Sequence, residues 1–508
     1  GGEIIENLVA GKREKFKKFV ESHYIHLAEN ENIDDFFAMY DQALDAVDPQ
    51  FRIKHGIFFT DLDLSKFVMW SVRKELGDIG KNYLVIDPAC GSGNLVTNWR
   101  SPMELRHKVV SEIEPELLYT VEQRMKGDKW HNGKFTVVPK VSEDKGLNFL
   151  DISAEEYVEE IRKHLAEKGQ KADKPIAFLC NPPYRSDDDQ AAESVKYQVH
   201  PSILELTGKD GGAERYSCFL AQMRLICEKA EESGLQEDSL LLLFTKAAWL
   251  TKRPVFESIR KNICSVFEDV GGMIVNSHEF FDVKGKFPIA FTMWKYKGPN
   301  AGLDANRSIE LRDMTWIKKS HLSEIDWLDE NAVNKSCELL TTNDNAKMVN
   351  FGVDIPNVKE WTGLTSLDFK RDRRKDEVDP SIVGGLPKGD HRRAKNKKTY
   401  GESDTDYIGF MDDLTPCRVK RGDMGIPWFR LNNQFMDCRK TRCLSGPADN
   451  RGFSAADTDS TKKVFSWFAM ARVFASHGYP MWVDADEMWP LIPPQRLENK
   501  LTKISYAI

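Results

Sequence analysis

Short apolar runs alternate with stretches of helical periodicity between about residue 80 and residue 300. Seven of these runs have the length of a buried strand: Tyr83–Ile86, Lys108–Val110, Phe135–Val138, Ile176–Cys180, Leu240–Phe244, Val270–Val275 and Ile289–Trp294. Strands that alternate with helices favour right-handed crossovers and a mainly parallel sheet. Because such sheets bind ligands at the carboxyl ends of their strands, we expect the chemistry in the residues that directly follow each run.

The flanking segments have a different pattern. Residues 3–50 predict helices, with helical spacing at Ile33–Val47, and Leu64–Leu76 predicts an amphipathic helix. After residue 300 the alternation fades, residues 370–398 hold eleven Lys/Arg against five Asp/Glu, and Thr461–Ser476 predicts one apolar helix. These patterns predict an N-terminal helical segment, an α/β domain and a C-terminal domain, with bounds 1–50, 51–300 and 301–508.

The first predicted strand runs into a turn that contains two glycines. The turn continues as Asp87-Pro88-Ala89-Cys90-Gly91-Ser92-Gly93-Asn94. Glycines let the backbone approach a ligand without a Cβ in the way, and a helix that begins near Asn94 points free N–H groups above the strand. An ordinary strand-to-helix turn is the alternative. The acidic strand end and the Pro-Ala-Cys insert favour a cofactor loop, although the last glycine of the dinucleotide pattern GxGxxG is missing.

A carboxylate, Glu112, ends the next strand. One strand on from a glycine loop, a carboxylate is placed to accept both hydroxyls of a ribose, as it does in dinucleotide folds. A solvated surface acid is the alternative. The loop that precedes Glu112 favours ribose binding.

The fourth predicted strand ends in a rigid tetrapeptide, Asn181-Pro182-Pro183-Tyr184. Two prolines remove two backbone donors, so the segment cannot continue a strand ladder. It presents carbonyl oxygens, a side-chain amide and an aromatic face, which suit an aromatic amine such as the exocyclic nitrogen of adenine. Hydrogen bonds accepted by the Asn181 side-chain oxygen and the Pro182 carbonyl would localise the lone pair of that amine, and Tyr184 would stack on the ring.

The segments Asp87–Asn94 and Asn181–Tyr184 resemble motifs I and IV of the amino-methyltransferases. The resemblance is specifically to the gamma-type N6-adenine DNA methyltransferases found in restriction-modification enzymes. The resemblance covers about residues 50–300. It implies a doubly wound, Rossmann-like sheet and transfer of a methyl group from S-adenosylmethionine to N6 of an adenine that is flipped out of double-stranded DNA. It assigns cofactor binding to Asp87, Ala89, Cys90, Gly91, Gly93, Asn94 and Glu112, and catalysis to Asn181, Pro182, Pro183 and Tyr184.

Two further segments resemble cofactor-binding motifs of this family. His55–Thr60 resembles motif X, which closes over the methionine part of the cofactor and implies roles for Phe58 and Thr60; Asp61 stands where the family usually has Pro. Leu147–Asp151 resembles motif III, in which a polar residue contacts the cofactor adenine and an aromatic residue lies on it. The resemblance implies Phe149 as the aromatic residue and Asn148 or Asp151 as the polar one, with Asn148 preferred.

The remaining motifs follow in the family's order. Motifs V, VI and VII are resembled by Tyr216–Phe219, Ser239–Leu250 and Phe256–Ile263. Phe280–Asp282, followed by Phe287–Trp294, resembles motif VIII. This last resemblance implies that Phe281 stacks on the flipped base together with Tyr184.

In this family a target-recognition domain follows the catalytic domain. The basic stretch 370–398 and later basic residues near Trp428 and Phe429 would suit a surface that faces DNA; a solvated loop with an ordinary core is an equal alternative. The later basic residues are Arg418, Lys420, Arg421, Arg430, Arg439, Lys440 and Arg442. No Asp…Glu-x-Lys cluster is apparent, so if a nuclease or a restriction or specificity subunit belongs to this system, we expect it outside this chain.

Composition narrows the protein class. Hydrophobic residues make up 41% and charged residues 30% of 508 residues, which excludes a wholly disordered chain and predicts two or three domains. No apolar run approaches the ~20 residues that cross a bilayer, and the nine scattered cysteines form no CxxC pair. We therefore expect a reducing, cytoplasmic compartment and no metal site, and the resemblance implies a nucleoid-associated protein of a bacterium or phage. The leading Gly1-Gly2 is typical of an internal cut or an added start, which leaves a longer natural protein open.

Three other functions are compatible with parts of the pattern. A methyltransferase that acts on protein glutamine also uses Asn-Pro-Pro-Tyr on a planar amide, but it resembles shorter chains without a counterpart of His55–Thr60. A methyltransferase that acts on rRNA bases is similar. A non-catalytic subunit that senses DNA with a methyltransferase fold is the third, and the intact Asn181–Tyr184 segment argues against it.

Overall fold

The computed structural model describes residues 59–352 apart from 98–106, 129–130, 173, 185–197, 233–237, 251–253 and 282–286, together with short strands between residues 405 and 454. The chain divides into two compact units, Gly1–Gly352 and Val353–Ile508. Several predictions lie outside the described residues: the helices of residues 3–50, the role of Phe58, the basic stretch 370–398 and the helix Thr461–Ser476.

Alternating strands and helices build the first unit. Its strands are β1 (Leu84–Asp87), β2 (Lys108–Ser111), β3 (Phe135–Val138), β4 (Ile176–Cys180), β5 (Leu240–Lys246), β6 (Phe267–Asn276), β7 (Pro288–Tyr296), β8 (Ile309–Asp313) and β9 (Met348–Phe351). All seven predicted strands are confirmed, with ends that differ by no more than three residues.

The helices of the same unit connect these strands. In the described residues they are α1 (Leu62–Leu76), α2 (Ile79–Asn82), α3 (Asn94–Thr97), α4 (Pro115–Gly127), α5 (Ala154–Glu167), α6 (Pro201–Gly211), α7 (Arg215–Glu232), α8 (Glu257–Cys264), α9 (Ser277–Phe280), α10 (Lys319–Ser323) and α11 (Glu330–Thr341). The predicted helix Leu64–Leu76 corresponds to α1 and is confirmed.

The strands form one sheet in the order β3-β2-β1-β4-β5-β7-β6-β8-β9. Neighbours from β3 to β5 are parallel, whereas β7 runs antiparallel to both β5 and β6. The chain builds outward from β1 to β3 and then returns to place β4 on the other side of β1. This reversal is the switch point at which doubly wound sheets bind their ligands, beyond the carboxyl ends of the strands.

Helices cover both faces of the sheet. On one face, α1, α3 and α4 share a buried cluster with alternate strand residues, as Leu240, Leu242 and Phe244 of β5 show. On the other face, Phe178 of β4 contacts Phe149, which in turn packs against Phe219 of α7. The α/β doubly wound, Rossmann-like fold class that the sequence predicted is therefore confirmed.

Asp61 begins α1 as its N-cap. Its side chain accepts hydrogen bonds from the backbone N–H groups of Asp63 and Leu64, each at 3.0 Å. Such a cap satisfies donors that the first helical turn leaves without partners. The turn after Thr60 is thus held by a capping carboxylate where the resembled family usually has proline.

The sheet continues past residue 300, where the sequence analysis placed the end of the α/β domain. β8 pairs parallel with β6, and β9 pairs antiparallel with β8, so the compact unit ends at Gly352. In the second unit, β10 (Thr405–Phe410) pairs antiparallel with β11 (Pro416–Lys420). A separate sheet has the order β13-β12-β14, with strands Trp428–Arg430 (β12), Arg442–Cys443 (β13) and Gly452–Ser454 (β14).

Candidate active site

An open cavity lies at the carboxyl ends of β1 and β4. Many of the predicted site residues line it: Thr60, Asp87, Ala89, Cys90, Gly91, Asn94, Glu112, Asn148, Phe149, Asn181 and Pro183. The sequence separates these residues by more than a hundred positions, and the switch point of the sheet brings them to one place.

The loop after β1 is closed by its own backbone and by Glu112. The Glu112 carboxylate accepts hydrogen bonds from the N–H of Gly91 at 2.8 Å and from that of Ile113 at 2.8 Å. Gly91 has a φ of +52°, a conformation that L side chains rarely adopt. The predicted cofactor loop and the carboxylate of Glu112, which follows β2, are therefore in direct contact.

A close packing contact requires a glycine at position 93. Gly93 does not line the cavity, and a Cβ at this position would lie 2.6 Å from Cγ2 of Val121 on α4. Its φ is +86°. The packing of the loop against α4 is therefore sufficient to require this glycine, and its contact with a cofactor stays a prediction.

Two carboxyl groups are buried in the cavity wall. Burial raises the pKa of Asp87 to about 8, although hydrogen bonds from the Ala89 backbone and the Cys180 thiol oppose the shift. Burial also raises the pKa of Glu112 to about 6, against the hydrogen bonds of three backbone N–H groups. Desolvation favours the neutral form of each acid, so a positively charged ligand would find a site whose charge depends on pH.

Phe149 and Asn148 form part of the cavity wall. Phe149 packs edge-on against Tyr157 and at 5.0 Å between ring centroids against Phe219. Asn148 donates to the Gln198 carbonyl and accepts from the Leu150 N–H. Of the two polar residues that the sequence left open here, Asn148 lines the cavity and the exposed Asp151 does not.

Asn181 at the end of β4 lies between two hydroxyl groups. Its Nδ2 donates to Thr60 Oγ1 at 3.1 Å, and its Oδ1 accepts from the Tyr184 hydroxyl at 2.5 Å. The first bond joins the predicted motifs X and IV. The second means that the acceptor oxygen of Asn181 already has a donor in this conformation.

The two rings predicted to stack on a base are buried and in contact with each other. Tyr184 and Phe281 meet edge-to-face with ring centroids 6.2 Å apart, and Phe281 also contacts Phe244 in the same way. Tyr184, Phe281 and Pro182 are absent from the lining of the cavity. Burial also holds the pKa of Tyr184 well above its usual value.

Nine lining residues had no individual role in the sequence analysis: Phe59, Pro88, Ser92, Leu95, Ile113, Leu147, Leu150, Arg215 and Phe219. Phe59 and Phe219 lie inside segments that the resemblance identified, and Ile113 and Arg215 lie directly beside such segments. Arg215 is buried at the first position of α7. Adjacency to a motif was the available signal, but a strand end or helix start does not by itself say which neighbours face the cavity.

The described cysteines are all buried, and none is in a disulfide: Cys90, Cys180, Cys218, Cys227, Cys264 and Cys337. Within the described residues no group of three or more His, Cys, Asp or Glu side chains is arranged to hold a metal ion. None of the helices found there is both long and apolar enough to cross a bilayer.

Comparisons with known proteins give structural likenesses only. No protein-family model matches the chain, and no curated protein matches it. The methyltransferase subunit of a type I restriction-modification system from Streptococcus thermophilus is 14% identical, with a TM-score of 0.33 over 59% of this chain and 57% of that one. The type IIG restriction endonuclease BpuSI is 13% identical, with a TM-score of 0.40 over 75% of this chain and 45% of that one.

A third likeness covers more of this chain. The ATP-dependent type ISP restriction-modification enzyme LlaBIII, bound to DNA, is 11% identical, with a TM-score of 0.44 over 94% of this chain and 40% of that one. The chain thus spans less than two thirds of the length of each of these three proteins. At such identities and TM-scores the likenesses carry no argument about activity.

Proposed function

We propose that the chain is an S-adenosylmethionine-dependent DNA methyltransferase that acts on N6 of adenine. The observation that carries the proposal is one cavity lined both by the loop after β1 and by Asn181 at the end of the adjacent β4. A cofactor held at the loop and an amine held at Asn181 would lie side by side. Group transfer needs such proximity between the two reacting groups.

The lining residues fit S-adenosylmethionine. Glu112 accepts three backbone N–H groups, of which the contact from Glu114 is long at 3.4 Å. A carboxylate has about four lone-pair sites, so one ribose hydroxyl finds an open site and a second would displace the long contact. Phe149 and Phe219 offer aromatic faces to an adenine ring. When bound, the cofactor supplies an electrophilic methyl group on a positively charged sulfur, which an ionised Asp87 would favour.

Asn181 and Pro182 would activate the accepting amine. The exocyclic nitrogen of adenine is a poor nucleophile because its lone pair is delocalised into the ring. Hydrogen bonds to Asn181 Oδ1 and to the Pro182 carbonyl would localise that lone pair on nitrogen. Tyr184 donates to the same Oδ1 in this conformation, so the phenol uses one of its two lone pairs and leaves the other for the amine.

The proposal includes base flipping, since an adenine stacked inside a duplex cannot enter the cavity. Tyr184 and Phe281 are the proposed stacking rings. Their present edge-to-face contact leaves no parallel gap for a base, so both rings would have to separate and turn. Stacking on the base would then replace the contact that the two rings make with each other.

The test is the transfer of a labelled methyl group by the full chain. Duplex DNA of random sequence is incubated with the protein and methyl-labelled S-adenosylmethionine, digested to nucleosides and separated by mass spectrometry. We expect N6-methyladenine from the wild type and none from Asn181→Ala. Label on cytosine would overturn the adenine assignment, as would transfer to rRNA or to protein glutamine in parallel incubations that contain these acceptors in place of DNA.

The setting of the reaction is a further part of the proposal. The resemblance of motifs I and IV to restriction-modification enzymes supports a role in restriction-modification or phage defence. A specificity subunit, a restriction subunit or a fused nuclease would lie outside this chain. Co-purification of the natural protein with a nuclease activity that stops at methylated DNA tests this part separately.

A further inference from the structure

A chain of hydrogen bonds leads from Arg124 of α4 to the side-chain amide of Asn181, the proposed catalytic residue. Arg124 Nη1 donates to Asn94 Oδ1 at 2.7 Å, and Asn94 Nδ2 donates to the Thr60 carbonyl at 2.9 Å. The Thr60 hydroxyl then accepts from Asn181 Nδ2 at 3.1 Å. Arg124, Asn94 and Thr60 are 0%, 6% and 5% exposed, so solvent can hardly replace these partners.

The first link of this chain has a defined direction. A guanidinium group only donates, so the Asn94 oxygen must face Arg124. A backbone carbonyl only accepts, so the Asn94 amino group must face Thr60. Asn94 is therefore held in one orientation by the chemistry of both neighbours.

Arg124 also holds the loop itself. The same Nη1 donates to the Ser92 carbonyl at 2.9 Å, between the two glycines of the loop. Arg124 does not line the cavity, although Asn94, Thr60 and Asn181 do. A buried cation outside the cavity thus contacts the loop where the cofactor is proposed to bind and, through Asn94, the residue that holds Asn181.

We propose that Arg124 is a positioning residue that sets the place of Asn181 through Asn94 and Thr60. Its catalytic consequence rests on the proposed function, whereas the coupling between the side chains does not. Without the guanidinium, Asn94 can turn, the Thr60 backbone loses a donor, and the Thr60 hydroxyl shifts relative to Asn181. Misplacement of a reacting group by about 1 Å can slow a reaction by about a hundredfold.

The kinetic test compares Arg124→Met with Lys126→Met. Lys126 lies on the same helix, and its ion pair with Glu122 is on the surface, so its loss controls for removal of a cation from α4. In single turnovers on duplex DNA we expect Arg124→Met to lower the methyl-transfer rate by about ten- to a hundredfold, even when the cofactor is saturating. Arg124→Lys should restore part of the rate. A full rate at saturating cofactor would mean that Arg124 serves cofactor binding alone, and the proposal would be wrong.

A second readout needs neither cofactor turnover nor DNA. The side-chain amide signals of Asn94 and Asn181 in the full chain, labelled with ¹⁵N and assigned by Asn94→Asp and Asn181→Asp, report the two orientations by NMR. We expect Arg124→Met to move both signals and Lys126→Met to move neither. If Arg124→Met moves the Asn94 signal and leaves that of Asn181 in place, the coupling does not exist. If wild-type protein methylates no adenine but both signals move, the proposed function fails and the coupling stands.

Substitutions at Thr60 and Asn94 cover the case in which Arg124→Met does not fold. Thr60→Val removes the hydroxyl but keeps the carbonyl that Asn94 contacts, whereas Thr60→Ser keeps both. Asn94→Asp keeps an acceptor for Arg124 but has no donor for the Thr60 carbonyl. We expect Thr60→Val and Asn94→Asp to move the Asn181 signal and to slow transfer, and Thr60→Ser to resemble the wild type. Equal behaviour of Thr60→Val and Thr60→Ser would overturn the last link of the chain.

Discussion

The Tyr184 hydroxyl donates a hydrogen bond of 2.5 Å to the Asn181 side-chain oxygen. This bond uses one of the two lone pairs of the oxygen that is proposed to accept from the substrate amine. The contact between the Tyr184 and Phe281 rings favours the same conformation, because it holds the phenol inside the hydrophobic cluster. A Tyr184 ring that turns to stack on a base must therefore break a polar bond and an aromatic contact together.

Two substitutions at Tyr184 separate these contributions. Tyr184→Phe keeps the ring and removes the bond that holds it to Asn181, so methyl transfer should be as fast as in the wild type or up to about tenfold faster, the effect of one neutral hydrogen bond. Tyr184→Ala removes the stacking surface and should slow turnover and weaken DNA binding by roughly ten- to a hundredfold. Single-turnover rates and DNA titrations measure both. A large loss of rate in Tyr184→Phe would show that the hydroxyl serves the reaction itself.

Asn181→Ala should separate base flipping from methyl transfer. The variant lacks the acceptor that localises the amine lone pair, while the proposed stacking rings and the cofactor loop are unchanged. With 2-aminopurine at the target position, we expect the fluorescence rise of a flipped base without formation of N6-methyladenine. A mismatch at the target should tighten binding of wild type and variant alike, because unpairing is then already done. Undiminished methylation by Asn181→Ala contradicts the mechanism.

The two glycines of the loop should respond very differently to alanine. At Gly91 a Cβ would meet the Phe59 ring at 3.5 Å, an ordinary contact, so Gly91→Ala should cost only about 1–2 kcal/mol for its positive φ. At Gly93 the Cβ would lie 2.6 Å from Val121, so Gly93→Ala should add about 1–3 kcal/mol for overpacking. Unfolding in urea measures both costs.

A double-mutant cycle identifies the cause at Gly93. Val121→Ala removes the methyl group that the new Cβ would strike, so the double variant should be more stable than the sum of the single effects predicts. If the two losses of stability are additive, the requirement for glycine at position 93 does not come from its contact with Val121.

Cofactor affinity should rise with pH. Asp87 has a pKa raised by burial to about 8 and Glu112 one raised to about 6, so both are partly protonated in neutral solution. A ligand with a positively charged sulfur binds best when both acids are ionised. At a pH below these pKa values, its binding must therefore also remove the protons from the acids. Affinity for S-adenosylmethionine should therefore increase from pH 5 and level off above about pH 8.

Calorimetry with two ligands and one variant checks the source of this pH dependence. S-adenosylhomocysteine lacks the positive sulfur and should show a shallower rise. Asp87→Asn should remove the part of the rise near pH 8 and keep the part near pH 6. Identical pH profiles for the two ligands would exclude attraction between the carboxylates and the positive sulfur as the cause.

The sequence predicts the strands and the loop well because their patterns are local. An apolar run such as Ile176–Cys180 ends where the next residues cannot continue a ladder, and Asp87–Asn94 contains its own turn chemistry. Contacts between distant segments are a different matter. The sequence around Arg124 does not indicate that its guanidinium contacts Ser92 and Asn94. The sequence around Gly93 likewise does not show that Val121 packs against it.

The burial of the Tyr184 and Phe281 rings shows the same limit. A motif can imply that an aromatic residue meets a base, but only packing decides where that ring lies before the base arrives. The sequence pattern also did not predict β8 and β9, because the alternation of strands and helices fades before these strands.

The position of β8 and β9 leads to a prediction about truncation. A chain of residues 1–300 lacks both strands and leaves one edge of β6 without its partner, whereas a chain of residues 1–352 keeps the whole sheet. We expect residues 1–352 to unfold at the same urea concentration as the full chain and to keep its cofactor affinity, and residues 1–300 to be less stable or to aggregate. Equal stability of the two truncated chains would mean that β8 and β9 contribute nothing to the fold.

The same truncation tests where DNA is recognised. If the later basic residues contact DNA, residues 1–352 should lose the preference for one sequence and show a weaker dependence of binding on salt. A retained sequence preference would place recognition before residue 353.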